Sequence, residues 1–305
     1  MGTSSSYGGP GGGTPLVPSW VDVDVTFPAG TAPPVGGDAD TDAPESAEAG
    51  PDGAGPASGA PPTNPSPTAG TPPPPDPSRF TAPRANLTRF ARSGGTDRRS
   101  LGRAVSGYVS GAAGGAASAA RRLGASRRAS VALLGFLSDA RARGVPAALR
   151  ALNLEALAGR SVEEIFIGLA DFVCPDGGTV DDGIAREAFV ETIVQLSEEG
   201  VTSIESLSPD QMQTVFEIYA TNAIEARLCN DIGAKTVALP ASPQAAAYVQ
   251  AQLRDFVRRG VADALTSARA ALEALTSESV IRFVDGVYVS AFEILRTMGE
   301  AEERK

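Results

Sequence analysis

Proline divides this chain before any other feature does: 18 of its 24 prolines lie in residues 1–78, together with 14 of its 34 glycines. Proline lacks the backbone donor that helices and sheets need. A stretch so poor in large apolar side chains cannot bury enough surface to offset the entropy of ordering it. Most of residues 1–78 is therefore expected to be disordered, and the 227 residues that follow must hold the core.

Charge is partitioned along the same lines. Residues 1–78 carry nine carboxylates and no Lys or Arg; residues 79–150 carry 14 Arg against two Asp; residues 151–305 carry a net charge of −13. The overall acidity hides a strongly basic middle, the natural place for an anionic partner. An equally simple reading is that this segment neutralises the acidic parts of its own chain.

Several chemistries are excluded by composition. There is no histidine, which removes Ser-His-Asp and Cys-His nucleophile pairs, His-ligated zinc and His general acid–base catalysis. The two cysteines, Cys174 and Cys229, are too few for a thiolate cage and form no C-x-x-C motif, so they read as buried thiols in a reducing compartment. No phosphate-cradling G-x-x-x-x-G-K-[ST] motif is present. Asp176, Asp181 and Asp182 do not follow the calcium-loop spacing, and Thr179 with Asp182 already forms a helix-capping pattern. The chain reads as a non-enzyme without cofactor or metal. No secretory signal opens it and no long uncharged apolar run follows, so the expectation is a cytoplasmic protein with no membrane span.

Four segments follow from these patterns: a head, 1–27; an acidic Pro-rich linker, 28–78; a basic helical arm, 79–150; and a helical bundle, 151–305. The linker, treated as a coil, spans roughly 40 Å. In the arm, helices are expected near 85–92, 99–123 and 126–143. Gly107, Gly111 and Gly115 recur at four-residue spacing, as in stripes that let two helix backbones approach. In the bundle, Ser161–Glu164 and Thr179–Asp182 open helices over 162–173 and 180–198, and Ser208-Pro209 and Ser242-Pro243 open two more, over 209–230 and 243–275. A last helix is expected over 278–301. Leu253, Val257, Val261, Leu265 and Val280, Val284, Val287, Ala291 repeat as paired seams. The fold class is all-α, a helical bundle body behind a long disordered Gly/Pro-rich region.

Two places carry candidate function. Arg121, Arg122, Arg127 and Arg128 are the candidate contacts for an anionic partner, either nucleic acid or an acidic protein. Aromatics for base stacking are sparse in the arm, which argues against sequence readout. At the other end, M-G-T-S-S-S places Gly2 behind the initiator. Methionine removal would expose an α-amine whose reference pKa near 8 supplies free base at neutral pH. Glycine adds no bulk beside that amine, and Trp20, the one tryptophan, suits an anchoring role. The same letters fit an N-myristoylation pattern, so a lipid-anchored or nucleic-acid-binding adaptor is the alternative.

The first twenty residues, M-G-T-S-S-S-Y-G-G-P-G-G-G-T-P-L-V-P-S-W, resemble the start of the QatB family, a component of the bacterial Qat anti-phage system. Gly2, Thr3, Ser4, Pro15, Leu16, Val17, Pro18 and Trp20 match its M-G-T-S and P-L-V-P-x-W motifs. The resemblance implies operon neighbours: an ATPase, a QueC-like enzyme and a TatD-like nuclease. QueC enzymes adenylate 7-carboxy-7-deazaguanine and pass the acyl group to a nitrogen nucleophile. By resemblance, Gly2 is the acceptor. Thr3, Ser4, Leu16, Val17, Pro18 and Trp20 would engage the partner, and the helical body would hold it.

Overall fold

The computed structural model describes residues 76–198, 208–233, 242–276 and 279–305. Among them every regular element is helical, as the apolar periodicity requires. The head and nearly all of the linker lie outside the described residues. The body opens at Asp76, whose carboxylate accepts the Ser78 amide at 2.8 Å and caps the 3-10 turn Pro77–Phe80.

Ten α-helices follow among the described residues: α1 Thr81–Arg92, α2 Arg98–Gly107, α3 Ala116–Arg121, α4 Gly124–Arg143, α5 Val145–Ala151, α6 Val162–Val173, α7 Val180–Glu198, α8 Pro209–Leu228, α9 Pro243–Glu273 and α10 Val280–Glu303. The single helix expected over 99–123 is interrupted. α2 passes into a π-helical turn, Tyr108–Ala112, and the chain then turns where Gly114 and Gly115 adopt φ of +80° and +99°. Such angles suit glycine and end a right-handed helix.

The local start signals act as their chemistry demands. Ser161 and Glu164 form a reciprocal capping box, and so do Ser208 and Gln211, with Pro209 at the first helical position. Thr179 and Asp182 exchange the same pair of bonds, the Thr179 amide donating to the Asp182 carboxylate at 3.3 Å and the Asp182 amide to the Thr179 hydroxyl at 3.2 Å.

Residues 75–305 form one compact unit. The change of charge at residue 150 falls inside α5 and is crossed by packing: α10 lies against α2, α3, α4 and α9, while α8 lies against α4, α7 and α9. The α9 seam of Leu253, Val257, Val261 and Leu265 is buried, as are Val280, Val284, Val287 and Ala291 of α10. α10 also buries Phe283, Tyr288, Phe292 and Leu295. A helix surrounded by several neighbours buries more than the narrow seam of a two-stranded coil. Aromatic rings tie the layers together. Phe189 stacks on Phe166 at 5.9 Å and meets Tyr219 edge-on at 6.2 Å; Phe216 lies 5.8 Å from Phe283 and 6.3 Å from Tyr288.

Small residues do bring two backbones together, though not at the expected stripe. A Cβ on Gly111 would meet nothing within 4 Å, whereas one on Gly102 would lie 2.6 Å from the Gly299 carbonyl. The close crossing therefore belongs to α2 and α10.

Candidate functional site

The arginines of the basic segment divide by what they meet. Arg122, at the end of α3, donates through Nε and Nη2 to Oδ2 of Asp231, at 3.2 and 3.0 Å. Asp231 sits in a π-helical turn that continues α8, and its side chain is 6 % exposed. The same oxygen accepts the Tyr108 hydroxyl at 2.9 Å, and Arg227 Nε lies 3.6 Å away. Arg84 donates to the Asp231 backbone carbonyl at 2.9 Å. Asp231 thus gathers the turn after α2, α3 and α8 through its buried carboxylate, and α1 through its backbone carbonyl.

The electrostatics follow from burial and this one charge. Burial, then the neighbouring Asp231 carboxylate, pushes the Tyr108 hydroxyl well above its ordinary range. Burial acts to lower the Arg122 pKa, but attraction to Asp231 outweighs it and the net shift is upward. Arg79, Arg84 and Arg122 all lie over the Phe80 ring, at 4.9, 5.5 and 5.3 Å from its centroid. Such cation–ring contacts add modest attraction where water is displaced.

Arg127 and Arg128 are also paired within the chain, Arg127 with Asp285 of α10 and Arg128 with Asp182 of α7, the latter at 3.2 Å. Arg121 donates to the Ser118 hydroxyl at 2.6 Å and is exposed. Of the four candidate contacts for an anionic partner, Arg122 and Arg127 serve as partly buried internal staples. Arg121 and Arg128 keep exposed side chains, the latter 74 % exposed in a surface pair of the kind worth little energy. The seven candidate head positions, Gly2, Thr3, Ser4, Leu16, Val17, Pro18 and Trp20, lie outside the described residues.

A second set of arginines is not engaged in ion pairs among the described residues: Arg92, Arg99 and Arg103, on α1 and α2, all of them exposed. Residue-type counting treats all 14 arginines of the segment alike. Local carboxylate content does not separate them: residues 81–107 contain Asp97, which caps α2 and accepts from Ser100, and residues 108–138 contain no carboxylate, so the pairing depends on distant residues.

The candidate nucleophiles are muted. Burial pushes the Cys174 thiol up to about 11 and the Cys229 thiol up to about 12. Cys229 as a residue is half-buried, but its sulfur is enclosed. A thiol so far above neutrality carries almost no thiolate. Among the described residues no group of three or more Cys, Asp or Glu side chains is arranged to hold a metal. A shallow cleft of about 150 Å³ between α6 and α7 is lined by Val162, Phe166, Ile193 and Leu196 together with Ser161, Glu163 and Ser197, and Ser161 is already engaged as the cap of α6. None of the described helices is long and apolar enough to cross a membrane.

A family model described as Qat anti-phage system associated protein QatB matches residues 114–295, more than half of the chain. No curated protein and no solved structure matches.

Proposed function

Since the chain belongs to the QatB family of Qat anti-phage system associated proteins, we propose that it acts there as a scaffold and as a protein substrate rather than as a catalyst. A QueC-like partner joins a deazaguanine to the α-amine of Gly2. The observation that carries this reading is the agreement of two separate stretches. The head motifs lie within residues 1–20, the family match covers 114–295, and the two do not overlap.

The chemistry needs only what the head contains. Once Met1 is removed, the Gly2 amine attacks the acyl-adenylate of the deazaguanine carboxylate. An amide forms, AMP leaves with the former carboxylate oxygen, and the amine gives up a proton. Thr3 and Ser4 are small enough to follow Gly2 into a narrow site, while Leu16, Val17, Pro18 and Trp20 supply a separate apolar grip. The raised thiol pKa values of Cys174 and Cys229 support the non-catalytic part of the reading. The helical body then serves as the platform on which the operon's ATPase and TatD-like nuclease meet the enzyme, in the cytoplasm.

Intact-mass analysis of the chain co-expressed with its operon neighbours tests the proposal. The expected result is one added deazaguanine amide, mapped to the N-terminal peptide and lost with Gly2→Pro, whose ring hinders the nitrogen. A myristoyl mass, a bare Gly2, or the same addition on the Gly2→Pro protein overturns it.

A further inference from the structure

α1 and α2 form a hairpin whose outer face is almost wholly basic. It carries Arg89, Arg92, Arg98, Arg99 and Arg103, and none of the five is ion-paired among the described residues. Two of them donate to neutral groups, Arg89 to Asn86 and Arg98 to Gln252. The one carboxylate of the hairpin, Asp97, accepts the Ser100 amide and hydroxyl at 3.0 and 2.6 Å. Those bonds hold it below the usual carboxylate range, and the fields of Arg89 and Arg103 add to them, so both charges lie near the hairpin turn.

Helix phase sets the direction of this charge. On α1 the buried side is Pro83, Leu87, Phe90 and Ala91, and Arg89 and Arg92 lie opposite, three residues apart. On α2 the buried side is Leu101, Ala104 and Val105, against α10, and Arg99 and Arg103 lie opposite, four apart. Residues at those spacings are surface neighbours about 5–6 Å apart. The acidic end of α10 is already engaged, Glu303 by Ser106 and Glu302 by Lys305.

The turn between the two helices adds an aromatic. Tyr248 of α9 is 51 % exposed, and its ring edge would lie 3.2 Å from a Cβ on Gly95. One helical turn further along α9, Gln252 accepts from Arg98. An exposed ring therefore stands at the hairpin turn, one turn of α9 from the residue that accepts from Arg98.

We infer that the outer face of the α1–α2 hairpin binds single-stranded nucleic acid, with Arg92, Arg99 and Arg103 on phosphates and Tyr248 stacking on a base. Guanidinium forks match phosphate oxygens two at a time. An acidic protein would share the charge, but protein docking faces centre on buried apolar or aromatic anchors, and none of the exposed large apolar side chains lies on α1 or α2. A duplex offers no unstacked base to Tyr248, whereas single strands combine phosphate tracking with aromatic stacking. The arginines of this surface lie outside residues 114–295, Tyr248 lies within them, and the inference does not rest on the chemistry of Gly2.

Fluorescence anisotropy of the full chain with a labelled oligothymidylate tests this across a salt series. Reversing Arg92, Arg99 and Arg103 to Glu is expected to weaken binding at least about tenfold. It should also flatten the dependence of log affinity on log salt by about 2, because each single-strand phosphate contact contributes about 0.7. The triple change to Lys, which keeps the charge, should retain the salt slope. Tyr248→Ala should lower affinity at unchanged slope. Equal binding by the native and Glu-reversed proteins, with unchanged circular dichroism melts, overturns the inference. So does no binding at low salt, or binding of poly-glutamate in place of the oligonucleotide with the same arginine dependence.

Discussion

A Cβ placed on Gly102 would lie 2.6 Å from the Gly299 carbonyl oxygen, and one on Gly299 would lie 2.6 Å from the Gly102 carbonyl oxygen. α2 and α10 therefore cross with no side chain between them, and the α1–α2 hairpin is fastened at that point to a helix that also packs against α3, α4 and α9. The obstacles are backbone atoms, which cannot turn aside as a flexible side chain can.

Gly102→Ala is accordingly expected to destabilise the body by about 2 kcal/mol or more, the upper range of overpacking costs. Gly111→Ala, whose Cβ meets nothing within 4 Å, serves as the control and should be neutral or mildly stabilising, because alanine is the better helix former. Urea denaturation of both variants measures the difference, and equal midpoints would remove the crossing as a constraint.

The Arg122–Asp231 pair gives a second expectation. Asp231→Ala leaves Arg122 and the Tyr108 hydroxyl without their shared acceptor in a site where the Asp231 side chain is 6 % exposed. Removing one partner of a buried pair costs about 3–5 kcal/mol. Tyr108→Phe removes one hydrogen bond to that carboxylate and should cost about 1.5–3 kcal/mol. Arg122→Glu should be among the most damaging single changes in the basic segment. A loss of phage protection on reversing Arg122 therefore reports unfolding unless a thermal melt shows the fold intact. A native melt for Asp231→Ala would refute the role of this hub.

Glu225 predicts a pH dependence. It is buried on α8, where desolvation raises its pKa above 4.5, and the hydrogen bond from Arg254 only partly offsets that rise. A carboxylate whose folded pKa is raised contributes stability that is present below its unfolded pKa and lost as pH rises through the folded one. Glu225→Gln does not titrate. The stability of the variant relative to the native protein should therefore increase from about pH 4.5 upward, whatever constant offset the lost charge introduces. Parallel stability curves against pH for the two proteins would contradict the raised value.

What was legible in the sequence was whatever depends on near neighbours. The Ser161–Glu164 and Thr179–Asp182 caps placed α6 and α7 within their observed bounds. Ser208-Pro209 and Ser242-Pro243 placed the starts of α8 and α9. Each residue of the α9 and α10 apolar repeats is buried, although the repeats miss others such as Phe256, Phe283 and Tyr288. A cap is decided over three residues and a helical stripe over four, so both are written locally. The head motif pointed to the QatB family for the same reason, and the match over 114–295 agrees with it.

The tertiary structure alone decided which charges meet and which small residues touch. Arg122 and Asp231 are 109 positions apart, and Arg127 and Asp285 are 158 apart. Nothing local distinguishes these arginines from Arg99 and Arg103, which form no ion pair among the described residues. Likewise Gly107, Gly111 and Gly115 have the spacing of a contact stripe, yet the contact fell to Gly102 and Gly299. A seam forms where two helices cross, and the crossing point is set by the packing of every other helix around α10. Charge pairing is then settled last, because a guanidinium and a carboxylate attract strongly only once folding has placed them within a few ångströms and out of water.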